Sequence, residues 1–163
     1  MSGPAADPHP FDRNWTVPVV TTEQGSMIHA SCVSVHGQGA LIVGPSSSGK
    51  SSLALQLIAF GADLVSDDQT ILAHDGDSIK ASAPRAISGI IEARGVGLLR
   101  ADVVETAVLR LVVDLGTSER ARLPSPRTAN LLGISLRLFH NSDGAAFAAA
   151  ILQYLKVGEE CVP

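Results

Sequence analysis

The chain has 163 residues, 45% hydrophobic and 17% charged. That length supports one domain with a buried core, and the composition is too apolar for a disordered polymer. A net charge of −4 and six scattered aromatic residues exclude a strongly basic nucleic-acid surface and a base-stacking platform, and no apolar run reaches the ~20 residues of a membrane span.

Residues 1–25 carry Pro4, Pro8, Pro10 and Pro18 without an apolar period, and are expected to form a flexible N-terminal arm. The opening MSGPAADPHP has neither the basic flank nor the apolar run of a signal peptide. Cys32 and Cys161 form no metal-ligand cluster and fit a reducing, cytoplasmic setting.

Ile28 to Val35 reads as a strand closed by the turn-like His36-Gly37-Gln38-Gly39, and Ala40 to Val43 as a short, wholly apolar strand. A glycine- and serine-rich loop follows. The helix after it lines up Leu53, Leu57 and Phe60, with Ala54 and Ile58, and stops at Gly61. Leu64-Val65 opens another strand, which ends at Asp67-Asp68. This is a βαβ unit, and in a parallel α/β sheet it would bring the loop and both carboxylates to one edge.

Downstream, Thr70 to Ala73 and Ser78 to Ala81 read as a hairpin around Asp75-Gly76-Asp77. Ala107 to Leu115 is a buried strand interrupted by Arg110, residues 116–128 are loop-like, and Ile134 to Phe139 is a strand. Asp143 is expected to cap a last helix bearing Phe147, Ile151, Leu152 and Leu155. The class is α/β, with a domain over 26–157 and a tail over 158–163.

Gly44-Pro45-Ser46-Ser47-Ser48-Gly49-Lys50-Ser51 matches G-x-x-x-x-G-K-[ST]. Small residues let successive backbone N–H groups turn around a phosphate, and the helix behind them points its positive end at the anion. Lys50 would reach the β/γ-phosphates and the Ser51 hydroxyl would ligate Mg²⁺. The motif follows an apolar strand and opens an amphipathic helix, the context that gives it meaning.

Asp67 and Asp68 could divide two tasks, one accepting a proton from an attacking hydroxyl and the other serving a metal. Alone, the pair reads equally as a solvated acidic turn. Glu92 and Arg94 lie two apart beside Gly95-Val96-Gly97, so that Glu92 could reach Mg²⁺ and Arg94 a phosphate oxygen. As a surface ion pair they would be worth little. Asp114 ends a Walker B-like run, Leu111-Val112-Val113-Asp114, but reads first as a turn-forming residue closing a buried strand before Gly116, since Asp67 and Asp68 make a better acidic pair.

With His29, Gly44 to Ser51, Leu64-Val65-Ser66-Asp67-Asp68 and Ile91-Glu92-Ala93-Arg94-Gly95-Val96-Gly97 in that order, the chain resembles the HPr kinase/phosphorylase family. The resemblance runs from about Ile28 to Leu155 and is nearest to the short alphaproteobacterial members, which lack the separate N-terminal domain. It implies a P-loop kinase core related to phosphoenolpyruvate carboxykinase, using ATP and Mg²⁺ to phosphorylate a serine of the carrier protein HPr. It also implies a homo-oligomer, usually a hexamer.

By the same resemblance Asp67 is the general base, His29 orients it and Arg94 meets the phosphoryl group. Ser51, Glu92 and Asp68 serve the metal, and Gly44 to Ser52 hold the nucleotide. Ser47 stands where the family usually has glycine, and Ser52 where an acidic residue is common. The stretch 131–149 lacks the family's R-P-G-R-N-like loop, which puts the reverse phosphorolysis in question. Residues 85–137 hold eight arginines against five acidic residues, a local positive balance suited to phosphate. A P-loop kinase of small molecules and a non-catalytic ATP-binding regulator are the two rival readings.

Overall fold

The computed structural model describes residues 19–158. Twelve strands and two helices are assigned among them: β1 (Val19–Thr22), β2 (Gly25–Ile28), β3 (Ser31–Val35), β4 (Gln38–Val43), α1 (Lys50–Ala59) and β5 (Asp63–Ser66) come first. Then follow β6 (Thr70–Asp75), β7 (Ser78–Ser82), β8 (Ile90–Ala93), β9 (Gly97–Arg100), β10 (Thr106–Ser118), β11 (Arg127–Leu131), β12 (Ile134–Asn141) and α2 (Phe147–Val157). Ten strands share one sheet whose main path runs β1-β2-β6-β7-β10-β4-β3-β5, with β12 joined to β10 and β11 to β12, while β8 and β9 form a separate hairpin.

The fold is mixed α/β with a curled sheet, rather than the parallel sheet expected from the βαβ pattern. β3 lies between β4 and β5 and is antiparallel to both, so those two strands still run the same way. The inference drawn from the parallel sheet therefore survives: the loop after β4 and the residues after β5 meet at one edge.

The tight turns come from local backbone preference. His36 and Gly37 carry φ of 52° and 78°, and Leu132 and Gly133 φ of 51° and 83°. Two successive positive φ values match the right-handed twist of the strands they join. Helix α1 begins at Lys50, where the glycine before it takes a left-handed φ of 100°.

Alternation along the sheet divides the apolar residues between two cores. Leu41, Val43, Val112, Leu72 and Ile79 fill one face, while Ala40, Ile42, Leu111 and Val113 fill the other together with Leu53 and Leu57 of α1 and Ile151, Leu152 and Leu155 of α2. Strand β10 serves both cores because its register against β4 shifts between Leu109 and Leu111. Ala107 and Leu109 point to the first core, and the extra residue Arg110 turns Leu111 and Val113 to the second. The Arg110 guanidinium donates to the Gly158 carbonyl at 2.8 Å, where a cation complements the end of α2.

Several expectations are corrected. Residues 19–25, placed in the arm, form β1 and the start of β2, because β1 pairs along its length with β2 and so joins the sheet. Residues 1–18, the terminal segment from 159 and Cys161 lie outside the described residues. Ile28 to Val35 is two strands, β2 and β3, since the chain passes from β6 to β4 between them. Phe60 is 51% exposed, because it lies at the C-cap of α1 beyond the buried Leu53–Leu57 stripe. Asp143 does not cap α2. That helix starts four residues later, and the Phe147 amide donates to the Gly144 carbonyl. Strand β11 lies partly within the expected loop.

Candidate active site

The loop between β4 and α1 packs its back against Leu115 and Gly116 near the end of β10. A Cβ on Gly44 would fall 2.5 Å from Ser48 Oγ and 3.3 Å from the Leu115 Cβ, so only glycine fits there. Ser47 takes φ 64°, the left-handed conformation that a side chain makes costly. This is the position where the sequence departs from the family's glycine, and the serine adopts the glycine-like backbone.

Lys50 is buried, and its Nζ donates to the Gly44 and Pro45 carbonyls at 2.9 and 3.0 Å. Burial lowers the ammonium's pKa below its ordinary value, against the opposing pull of the Asp68 and Asp67 carboxylates. The charge is thus held at the mouth of the loop with its donors gathered in one direction.

The two adjacent aspartates have different surroundings. Asp67 is 5% exposed and fully engaged. Its Oδ1 accepts from Ser31 Oγ at 2.7 Å and from Ser51 Oγ at 2.8 Å, and its Oδ2 accepts from the Glu92 amide at 3.0 Å. It thereby ties β3, α1 and β8 together beneath the loop. The Asp68 side chain is 67% exposed, with Oδ1 2.7 Å from His29 Nε2. Its φ of 67° swings the side chain away from the direction of Asp67, and its amide donates to Ser31 Oγ at 3.3 Å.

A cleft of about 260 Å³ opens over this arrangement. Ser46, Ser47, Gly49, Lys50, Ser51 and Ser52 form one wall, and His29, Asp68, Glu92 and Arg94 the other. Asp67 lies below it and does not line it. Glu92 is at the end of β8, Arg94 in the turn to β9, and both are exposed toward the cleft. Gly44, Pro45 and Ser48 complete the back of the loop without lining the cleft. Asp114 is outside it: its Oδ1 accepts from the Gly116 amide and its Oδ2 from Thr117 Oγ1, so its carboxylate is engaged within β10, which runs on to Ser118 instead of turning before Gly116.

Ser31 was missed in the sequence, although its hydroxyl bonds both aspartates. Its signal is a polar residue opening an apolar strand two positions after His29, but only the register of Cys32 opposite Ser66 brings it to the aspartates. Among the described residues, no three His, Cys, Asp or Glu side chains converge as in an all-protein metal cage. The hard oxygen donors Ser51, Glu92 and the aspartates suit Mg²⁺, which takes one or two protein ligands and completes its shell with phosphates and water.

Fold and site together define a mixed α/β domain built around a polar cleft at one sheet edge. Residues 21–122 match the family described as HPr Serine kinase C-terminal domain. That match spans more than half of the chain, and the protein belongs to this family. The HPr kinase/phosphorylase of Variovorax paradoxus is 40% identical over 129 residues, covering 71% of this chain and 40% of the relative. That of Mycoplasmopsis pulmonis is 41% identical over 86 residues, covering 53% of this chain and 27% of the relative. The chain thus spans well under half the length of these curated relatives. The solved structure of the Hpr(Ser) kinase/phosphatase from Coxiella burnetii superposes with a TM-score of 0.67 at 24% identity, over 81% of this chain and 95% of that one, which supports the fold.

Proposed function

We propose that this chain is the catalytic domain of an ATP-dependent protein serine kinase acting on HPr, with a P-loop core of the phosphoenolpyruvate carboxykinase type and a start near Val19. The observation that carries the reading is the opposition, across one cleft, of the Lys50–Ser51 loop and the exposed Asp68–His29 pair. Phosphoryl transfer needs a donor cradle on one side and a proton acceptor for the incoming hydroxyl on the other.

The geometry supports dividing the two carboxylates differently from the sequence reading. Asp68 faces the cleft and takes the seryl proton as the oxygen attacks the γ-phosphorus and ADP departs. His29 orients that carboxylate and stabilises its charge. Asp67, already accepting three hydrogen bonds, is the positioning residue that sets the Ser51 hydroxyl and the Glu92 backbone. Lys50 contacts the β/γ-phosphates, and Arg94 meets the transferred group from the opposite wall.

Ser51 and Glu92 would hold Mg²⁺, with Asp67 fixing the Ser51 rotamer. The ion, when bound, supplies neutralisation of phosphate charge. Assembly into a homo-oligomer is supported by the exposed apolar side chains of the β8–β9 hairpin, Val96 at 76% and Leu98 at 74% exposure. No helix among the described residues is long and apolar enough to cross a membrane.

The test is incubation with γ-labelled ATP, Mg²⁺ and purified HPr. Phosphoserine on HPr is the expected product. Transfer to a small metabolite in place of HPr would favour the small-molecule kinase, and ATP binding without transfer the regulator.

A further inference from the structure

Asp68 stands on an unusual piece of backbone. The Gln69 amide donates to the Asp67 carbonyl, two residues back, at 2.7 Å, and Asp68 between them carries φ 67°. A bond from i to i+2 around a positive φ makes a γ-turn of the rare, strained kind. Such a conformation persists only where its surroundings hold it. We propose that three buried hydroxyls, those of Ser31, Ser66 and Thr70, are the positioning residues that hold this turn, with Ser31 the principal one. The inference rests on the reading of Asp68 as proton acceptor and deepens it.

Strand register puts each hydroxyl in its place. Cys32 lies opposite Ser66 but Val33 opposite Leu64, so Val65 is an extra residue in β5. A bulge of this kind re-aims the residues beyond it, and here it brings Ser31 against Asp67. After the turn, Thr70 lies opposite Ile28. The turn over 67–69 is thereby laid against residues 28–32, the same segment that carries His29.

The bonds close around the turn from three sides. Ser31 Oγ donates to Asp67 Oδ1 at 2.7 Å and accepts from the Asp68 amide at 3.3 Å. Ser66 Oγ donates to the Gln69 carbonyl and braces the far end. Thr70 Oγ1 donates to the Ala30 carbonyl at 2.9 Å, tying the strand after the turn to the neighbour of His29. All three side chains belong to buried residues, so water does not replace a lost bond.

The direction of the Ser31 bonds follows from chemistry. A carboxylate accepts and an amide donates, so the hydroxyl proton points to Asp67 and a lone pair is left for Asp68. Alanine can do neither; threonine can do both. Ser31 and Thr70 thus fix, from beneath, the two segments that meet in the 2.7 Å contact of His29 with Asp68, although neither lines the cleft. Misplacing a base by a fraction of an ångström slows turnover without loosening the nucleotide.

Single-turnover phosphorylation of HPr at saturating Mg²⁺–ATP, beside calorimetric titration of Mg²⁺–ADP, tests the assignment. Ser31→Ala removes one hydroxyl, and Thr70→Val removes another with its shape kept. Ser34→Ala is the control for a merely structural loss, being buried in β3 but paired with Gly39 and Asp63. Ser31→Ala is expected to slow transfer by about 10- to 100-fold and Thr70→Val by about 3- to 10-fold, with ADP affinity within about twofold of wild type. Ser31→Thr should recover most of the rate. On an Asp68→Asn background Ser31→Ala should slow transfer no further, because it acts through Asp68.

A wild-type rate in Ser31→Ala overturns the proposal, as does a rate loss that Ser34→Ala reproduces or one that adds in full to Asp68→Asn. ADP affinity falling in step with the rate also overturns it, since Ser31 would then act through Asp67 on the Ser51 hydroxyl. If Ser31→Ala does not fold, Thr70→Val decides by the same readouts. A full-rate Asp68→Asn removes the proton-acceptor reading itself, and the positioning role falls with it.

Discussion

The two sides of the Gly44–Ser51 loop are built on different principles. Toward β3, β5 and β8 the surroundings are polar, hydrogen-bonded across three elements and locally strained, with Ser47 and Asp68 both at positive φ. Toward β12 and α2 they are largely apolar, with a loop pinned by surface contacts. Strain and a saturated carboxylate, Asp67, gather where charge has to be directed, and apolar area gathers where a ligand needs only to be held. The first side is accordingly where single substitutions should hurt turnover, and the second where they should hurt affinity.

Asp68→Asn gives the sharpest break. It removes the proposed proton acceptor from the cleft and is expected to lower transfer by about 10²–10⁴-fold with ATP affinity nearly intact, read from single-turnover phosphorylation. A full-rate variant would return the base role to Asp67. Lys50→Ala follows, with an expected loss of about 10²–10³-fold in transfer as a donor to the phosphates disappears, this time with weakened nucleotide binding in the same titration.

Asp67→Asn acts on the other carboxylate and should be felt mainly as stability. An amide NH₂ at the buried Oδ2 position faces the Glu92 N–H, or the flipped amide faces two hydroxyls, so urea unfolding should show a loss of about 1–3 kcal/mol. Ser47→Gly removes a side chain from a left-handed position while loosening the unfolded chain. The balance is expected to be a gain below about 1 kcal/mol by the same measurement.

The smallest effect belongs to the apolar side and to acid. The Ala121 amide first, and then Arg127, hold the Glu119 carboxyl below its usual pKa. A depressed carboxylate contributes fully above its unfolded value, and the contribution fades as pH falls through the lowered one. Amide protection factors in segment 119–127, each taken against the intrinsic exchange rate at that pH, should therefore fall slightly in acid.

What could be read from the residues alone follows from the range of the interactions involved. The loop motif, the start of α1, the β6–β7 hairpin and the placement of Asp67 and Asp68 at one edge are local, set by glycine, turn residues and apolar period. The division of labour between the two aspartates is not local. It depends on Ser31, 36 residues from Asp67, and on the Glu92 amide, 25 residues away. Strand β11 was missed for a related reason: its alternation is short, and its pairing with β12 decides it. Asp143 was misassigned because a good capping residue cannot act on a helix whose first turn forms four positions later.

The single-residue bulge at Arg110 makes β10 sensitive to count rather than to content. Replacing the arginine gives up a bond to the Gly158 carbonyl and leaves the strand's geometry in place. Drawing Arg110 into the ladder as a paired residue would instead impose plain alternation on every residue of the strand. Leu111 and Val113 would then be carried from the helix-covered core to the opposite one, and Val112 would travel the other way. The molecule's central strand is in this respect a spacer, whose length keeps each core supplied with its own side chains.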